Sequence, residues 1–109
     1  MTEDWRAPIT LFLQGYYHPG DVNEAKRLKH RSRDFTLIEG QLYKKGSSQP
    51  MLKCVTETES LQILREVHSG TCGSHSRPRA LAAKVIRQGF YWPAIIRTAN
   101  RVTRSCEAC

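Results

Sequence analysis

A chain of 109 residues, 39% of them hydrophobic and with a net charge of +7, is long enough for one domain or two very small ones and is not compositionally disordered. No apolar run approaches the roughly 20 residues of a membrane span, and the acidic start Met1-Thr2-Glu3-Asp4-Trp5 lacks the basic-then-apolar layout of a secretory signal. Those two absences point to a reducing compartment, where four cysteines read as metal ligands or free thiols rather than as a disulfide framework.

The first predicted element is a short helix from Trp5 to Gln14, with Pro8 in its first turn and Gly15 after it. A loop, Tyr16 to Gly20, follows. Asp21 is placed to cap a second helix that runs to about Ser32, with Val22, Ala25 and Leu28 on one face. From Phe35 to Val55 the pattern turns to strands. Phe35 and Leu37, then Leu42 and Tyr43, flank Glu39-Gly40, a hairpin signal. Gly46-Ser47-Ser48 is a second turn, and Pro50 to Val55 a third strand. The expectation is a small antiparallel β-meander packed on the two helices.

Thr56 and Glu59 make a capping-box signature. The helix they open carries Leu61, Ile63, Leu64 and Val67 and ends near His68, before Gly70. After the loop Gly70–Ser74, Ser76 or Arg77 is placed to cap a helix with Pro78 in its first turn. Its buried stripe is Leu81, Ala82, Val85 and Ile86, and Gly89 stops it. Phe90-Tyr91-Trp92 reads as a compact aromatic cluster. Pro93 starts the last helix, with Ile95, Ala99 and Val102 facing the core. The fold class expected is α+β: an N-terminal extension over residues 1–56, then a helical domain over 57–109 in which three helices bundle.

Two residue pairs have metal-ligand character. His68 and His75 are separated by six residues, Cys106 and Cys109 by two, and thirty residues lie between the pairs. Together they complete a tetrahedral N/S site with no position left for water, which is the chemistry of structural zinc. The alternative for Cys106 and Cys109 is a redox pair, but such motifs open a helix after a strand, whereas this one follows a helix. A ligand set of Cys72, His75, Cys106 and Cys109 matches zinc equally well on spacing. His18 and His30 lie among polar residues and read as exposed side chains. Cys54, at a strand position, reads as a buried free thiol.

Charge is uneven. Residues 1–66 hold ten Lys/Arg against nine Asp/Glu, whereas residues 67–109 hold seven Lys/Arg against Glu107 alone. A basic segment of this kind favours polyanionic partners, of which nucleic acid is the commonest. The plainer reading is a solvated basic face, because charge alone has little specificity.

The stretch Leu64-Arg65-Glu66-Val67-His68, with Gly73-Ser74-His75, Gly89-Phe90-Tyr91-Trp92-Pro93 and Ser105-Cys106-Glu107-Ala108-Cys109, resembles the integrase zinc-binding domain of gypsy-type LTR retrotransposons. Trp5 with Pro8-Ile9, the hairpin between Asp34 and Tyr43, and Leu52 to Thr56 resemble the extension that precedes that domain. The resemblance implies that His68, His75, Cys106 and Cys109 bind zinc and that Cys72 is a loop cysteine outside the ligand set. One departure is Arg77-Pro78, where the family often has glycine shortly after its second histidine; contacts made by that loop do not carry over.

The resemblance further implies a supporting role in DNA integration, through integrase subunit assembly and contact with element DNA. Work on a chromosome implies the nucleus, preceded by the cytoplasm. Catalysis would belong to a separate acidic core beyond Cys109; the Asp/Glu residues here are scattered and make no two-metal site. Among the basic residues Arg77, Arg79, Lys84, Arg87, Arg97, Arg101 and Arg104, the expected DNA contacts are Arg77, Arg79, Lys84, Arg97 and Arg101, made to phosphate with little base preference. For any one of them a solvated side chain is the plain alternative. A reading of another class is a free-standing, domesticated fragment, which starts at Met1 and stops at the last ligand and serves as a protein-interaction module for host proteins.

Overall fold

The computed structural model describes residues 4–46, 51–69 and 77–104. The chain is α+β, with five helices and four strands among those residues. It divides into two compact units, Met1–Cys54 and Val55–Cys109. No helix among the described residues is long and apolar enough to cross a membrane.

In the first unit, α1 (Arg6–Leu13) is held at both ends. At its start the Asp4 carboxylate accepts from the Arg6 amide at 3.0 Å and from the Arg6 guanidinium at 2.7–3.1 Å. Those hydrogen bonds hold the Asp4 carboxyl below the usual carboxylate range. At its end Gly15 takes φ +82°. The amides of Tyr16 and Gly15 donate to the carbonyls of Leu11 and Phe12 at 2.9 and 3.1 Å, which is a Schellman closure that a side-chain Cβ would strain.

Helix α2 (Val22–Ser32) is capped by Asp21, whose carboxylate accepts from the Glu24 amide at 3.0 Å. Leu28 is buried, but Val22, expected beside it, is 66% exposed. Six residues of helix rotate a side chain by roughly 240° from its start, so Val22 and Leu28 point about 120° apart; a spacing of three, repeated, drifts off a helix face.

Strands β1 (Phe35–Ile38) and β2 (Gln41–Lys45) pair antiparallel, Ile38 opposite Gln41 and Phe35 opposite Lys44. Both residues of the connecting turn have positive φ, Glu39 at 50° and Gly40 at 80°, as a tight two-residue hairpin of the primed type requires. Strand β3 (Met51–Cys54) adds to β2 antiparallel, Lys44 opposite Leu52. Its burial alternates, with Leu52 and Cys54 inside. The Trp5 ring lies 5.9 Å from that of Phe35, and the Lys44 ammonium stands 5.6 Å over the same Phe35 ring. The predicted turn at Gly46-Ser47-Ser48 falls largely outside the described residues.

In the second unit the capping box is complete. The Glu59 carboxylate accepts from the Thr56 amide at 2.9 Å, and the Thr56 hydroxyl accepts from the Glu59 amide at 3.2 Å. Helix α3 (Glu57–Ser69) follows, then α4 (Pro78–Arg87) with Pro78 at its first position, the short strand β4 (Phe90–Tyr91) and α5 (Ile95–Arg104). Gly89, at φ +98°, ends α4 as predicted. The Val55 amide donates to the Tyr91 carbonyl at 3.1 Å.

The three helices pack pairwise around Leu64, Leu81, Ala82, Val85, Ile95, Ala99 and Val102. Trp92 belongs to this core at 2% exposure, and its indole N–H donates to the Thr98 hydroxyl at 3.1 Å. Phe90 and Tyr91 are half-buried on β4, so the three successive aromatics have different environments. Helix α5 starts later than expected. Ala94 accepts the first helical bond, from the Thr98 amide at 2.9 Å, and Pro93 lies before the helix.

Candidate metal centre

Helix α3 turns one face inward through Ser60, Leu64 and His68, four residues apart each time. Ser60 is the unexpected member. Its hydroxyl donates to the Glu57 carbonyl one turn back, which satisfies a polar group that burial would otherwise penalise. His68 closes the stripe at 5% exposure, in the last turn of the helix. Burial at a helix end limits where an imidazole can point, which favours a metal ligand there.

His75 lies in 70–76, and Cys106 and Cys109 lie in 105–109; all three are outside the described residues, as is Cys72. His75 is two residues before Arg77, the N-cap of α4, and Cys106 is two residues beyond the end of α5. Val102, in the last turn of α5, is buried. The remaining histidines and the fourth cysteine are elsewhere. His18 and His30 are exposed, and His18 Nδ1 is 3.0 Å from the Pro19 carbonyl. Cys54 is fully buried with a free thiol. Burial pushes its pKa up to about 12 against the opposing pull of Arg6 and Lys44, so it is an inert thiol.

All seven basic residues from Arg77 to Arg104 are exposed. Arg77, Arg79 and Arg97 line one cleft with Pro78, Ile96 and Asn100. Arg101 has the Glu57 carboxylate 3.8 Å away, with both side chains solvated.

A family profile described as the integrase zinc binding domain matches residues 55–109, which is the second compact unit to the residue. The chain belongs to this integrase zinc-binding family. Gypsy retrotransposon integrase-like protein 1 from Pongo abelii is 27% identical over 101 residues, and that from Mus musculus is 27% identical over 99. The Homo sapiens protein of the same name is 26% identical over 101 residues. Each alignment covers 87% of this chain and 19% of the relative, so the chain spans about a fifth of the length of the curated relatives it matches. No solved structure matches it.

The residue chemistry fits the metal that the family implies. Two imidazoles and two thiols form a borderline-soft donor set suited to zinc, and His68 is already buried on the helix end where such a ligand would sit. The strands β1–β3 belong to the other unit and contain none of these donors. Chelation is therefore expected to leave amide protection over Phe35–Cys54 largely intact while protection over α3–α5 falls. Hydrogen exchange with and without chelator checks this; uniform loss would mean that the two units unfold as one.

Proposed function

We propose that this chain is the zinc-binding, non-catalytic N-terminal region of a retrotransposon integrase, with His68, His75, Cys106 and Cys109 as the ligands of one structural ion. The reading is carried by the family match over residues 55–109. A four-ligand zinc supplies a cross-link with no open coordination position. In that closed bundle the three helices present their basic side chains outward. The region supports integration by helping subunits assemble and by contacting element DNA, and it acts in the nucleus.

The electrostatics support weak, sequence-tolerant DNA binding. Seven Lys/Arg and no Asp/Glu occur from residue 76 to residue 105. If three or four reach phosphate together, log K falls with log salt at a slope of about −3 to −4, since each neutralised phosphate contributes roughly −0.9. Affinity near physiological salt should be micromolar or weaker. Fluorescence anisotropy with duplex DNA across a salt series is the test. A flat baseline at low salt would sink the DNA-contact role and leave a protein-interaction module as the better reading. The same protein, supplied with magnesium or manganese, should neither nick DNA nor transfer strands; nicking that disappears in a point mutant would contradict the non-catalytic assignment.

A further inference from the structure

We infer that the cleft lined by Arg77, Pro78, Arg79, Ile96, Arg97 and Asn100 is where this chain seats the sugar-phosphate backbone of duplex DNA. The inference rests on the DNA-contact role proposed above and narrows it from seven dispersed basic residues to one place.

Three guanidinium groups share this cleft, and among the described residues no carboxylate lines it. A guanidinium binds phosphate through two parallel N–H bonds, a geometry lysine lacks. The cleft also sits at the start of α4. Arg77, at the N-cap, makes no side-chain bond to the first turn, and Pro78 has no amide proton to offer. The next amides make up the positive end of a ten-residue helix, which adds to the attraction of the arginines for an anion. The Asn100 amide adds a neutral donor. Pro78 and Ile96 supply apolar surface of the kind a deoxyribose face covers; Ile96 is 40% exposed and takes no part in the core.

The position on α5 is equally telling. Ile95, Thr98, Ala99 and Val102 face the core, and Ile96, Arg97 and Asn100 lie roughly 150° around the helix from that stripe. Nothing about holding the bundle together requires arginine there. Lys84 and Arg101 are outside the cleft, and Glu57 offsets part of the charge of Arg101. Among the described residues no aromatic side chain lines the cleft. Single-strand binders rely on aromatic stacking platforms, so this surface suits a paired backbone read without regard to sequence.

Charge-matched variants of the whole chain test the assignment by anisotropy with a 20-base-pair duplex of arbitrary sequence. One variant carries Arg77→Gln, Arg79→Gln and Arg97→Gln; the other carries Lys84→Gln, Arg101→Gln and Arg104→Gln. The cleft variant is expected to lose at least tenfold in affinity at 0.1 M salt, with the slope falling from about −3.6 for four phosphate contacts to about −0.9 for one. The second variant should lose threefold or less. Equal losses would overturn the cleft while leaving DNA contact intact, and no binding by the parent chain would overturn both. Asn100→Asp, isosteric and exposed, guards against misfolding of the triple variant: it should weaken binding at least threefold, and an unchanged affinity would count against the cleft. Tighter binding to the corresponding single strand would overturn the duplex assignment.

Discussion

Zinc removal is expected to unfold the second unit at room temperature. Zinc contributes on the order of 10–16 kcal/mol in small domains of this type, against a total margin of about 5–15 kcal/mol for a whole domain. The bundle has little to offset that loss. Its core has Leu64, Leu81, Trp92 and Ile95 as its larger members and is completed by Ala82, Val85, Ala99 and Val102, a small core for a unit of this size. A change of 1 kcal/mol moves the midpoint of a 60–100-residue domain by roughly 4–8 °C, so a cost of several kcal/mol carries the apo form past its transition. Cys106→Ser should reproduce the chelated state, whereas Cys72→Ser should melt like the parent. His68→Ala has two causes of loss, because a buried ring is removed as well as a ligand. Because the apo parent is already unfolded, both losses are read from thermal melts in excess zinc, where His68→Ala should be at least as destabilised as Cys106→Ser. A parent chain whose midpoint ignores chelator would contradict the clamp.

Trp92→Ala is the largest packing loss expected in the zinc-loaded protein, about 3–5 kcal/mol. The ring is 2% exposed and stands between the end of β4 and the first turn of α5. Trp92→Phe divides that cost. It keeps most of the apolar volume and removes the N–H bond to Thr98. Thr98 keeps a partner, since its hydroxyl still donates to the Ala94 carbonyl at 2.8 Å, so the polar part should be near 1 kcal/mol. Urea unfolding followed by circular dichroism, with zinc in excess, gives both values. A cost below about 1 kcal/mol for the alanine variant would mean that Trp92 is not the packing anchor its burial implies.

Local rules made much of the fold legible in the sequence. Asp21, the Thr56–Glu59 box, Glu39-Gly40, Gly15 and Gly89 each act on backbone groups within a few residues, so residue type and spacing sufficed. Burial was less legible where polarity misleads. Ser60 and Thr98 are inside because each bonds a carbonyl of its own turn, which a hydrophobic pattern does not register. Val22 failed for the opposite reason: it is apolar but rotated away from Leu28. Proline suits the first helical position, which predicts a helix from Pro93, yet Ala94 accepts the first helical bond. The basic residues were visible as a set, but the subset sharing a cleft depends on how α4 and α5 pack, and the sequence carries no local sign of that. Of the proposed zinc ligands, the structure adds the burial of His68; for His75, Cys106 and Cys109 the argument remains donor chemistry together with the family resemblance, because spacing alone also admits Cys72.

Native mass spectrometry of the purified chain tests the zinc site most directly. One zinc ion per chain is predicted for the parent and for Cys72→Ser, with zinc content falling in His68→Ala and in Cys106→Ser. A metal-free parent with unchanged stability would contradict the zinc clamp, and zinc lost from Cys72→Ser would move the ligand set to Cys72.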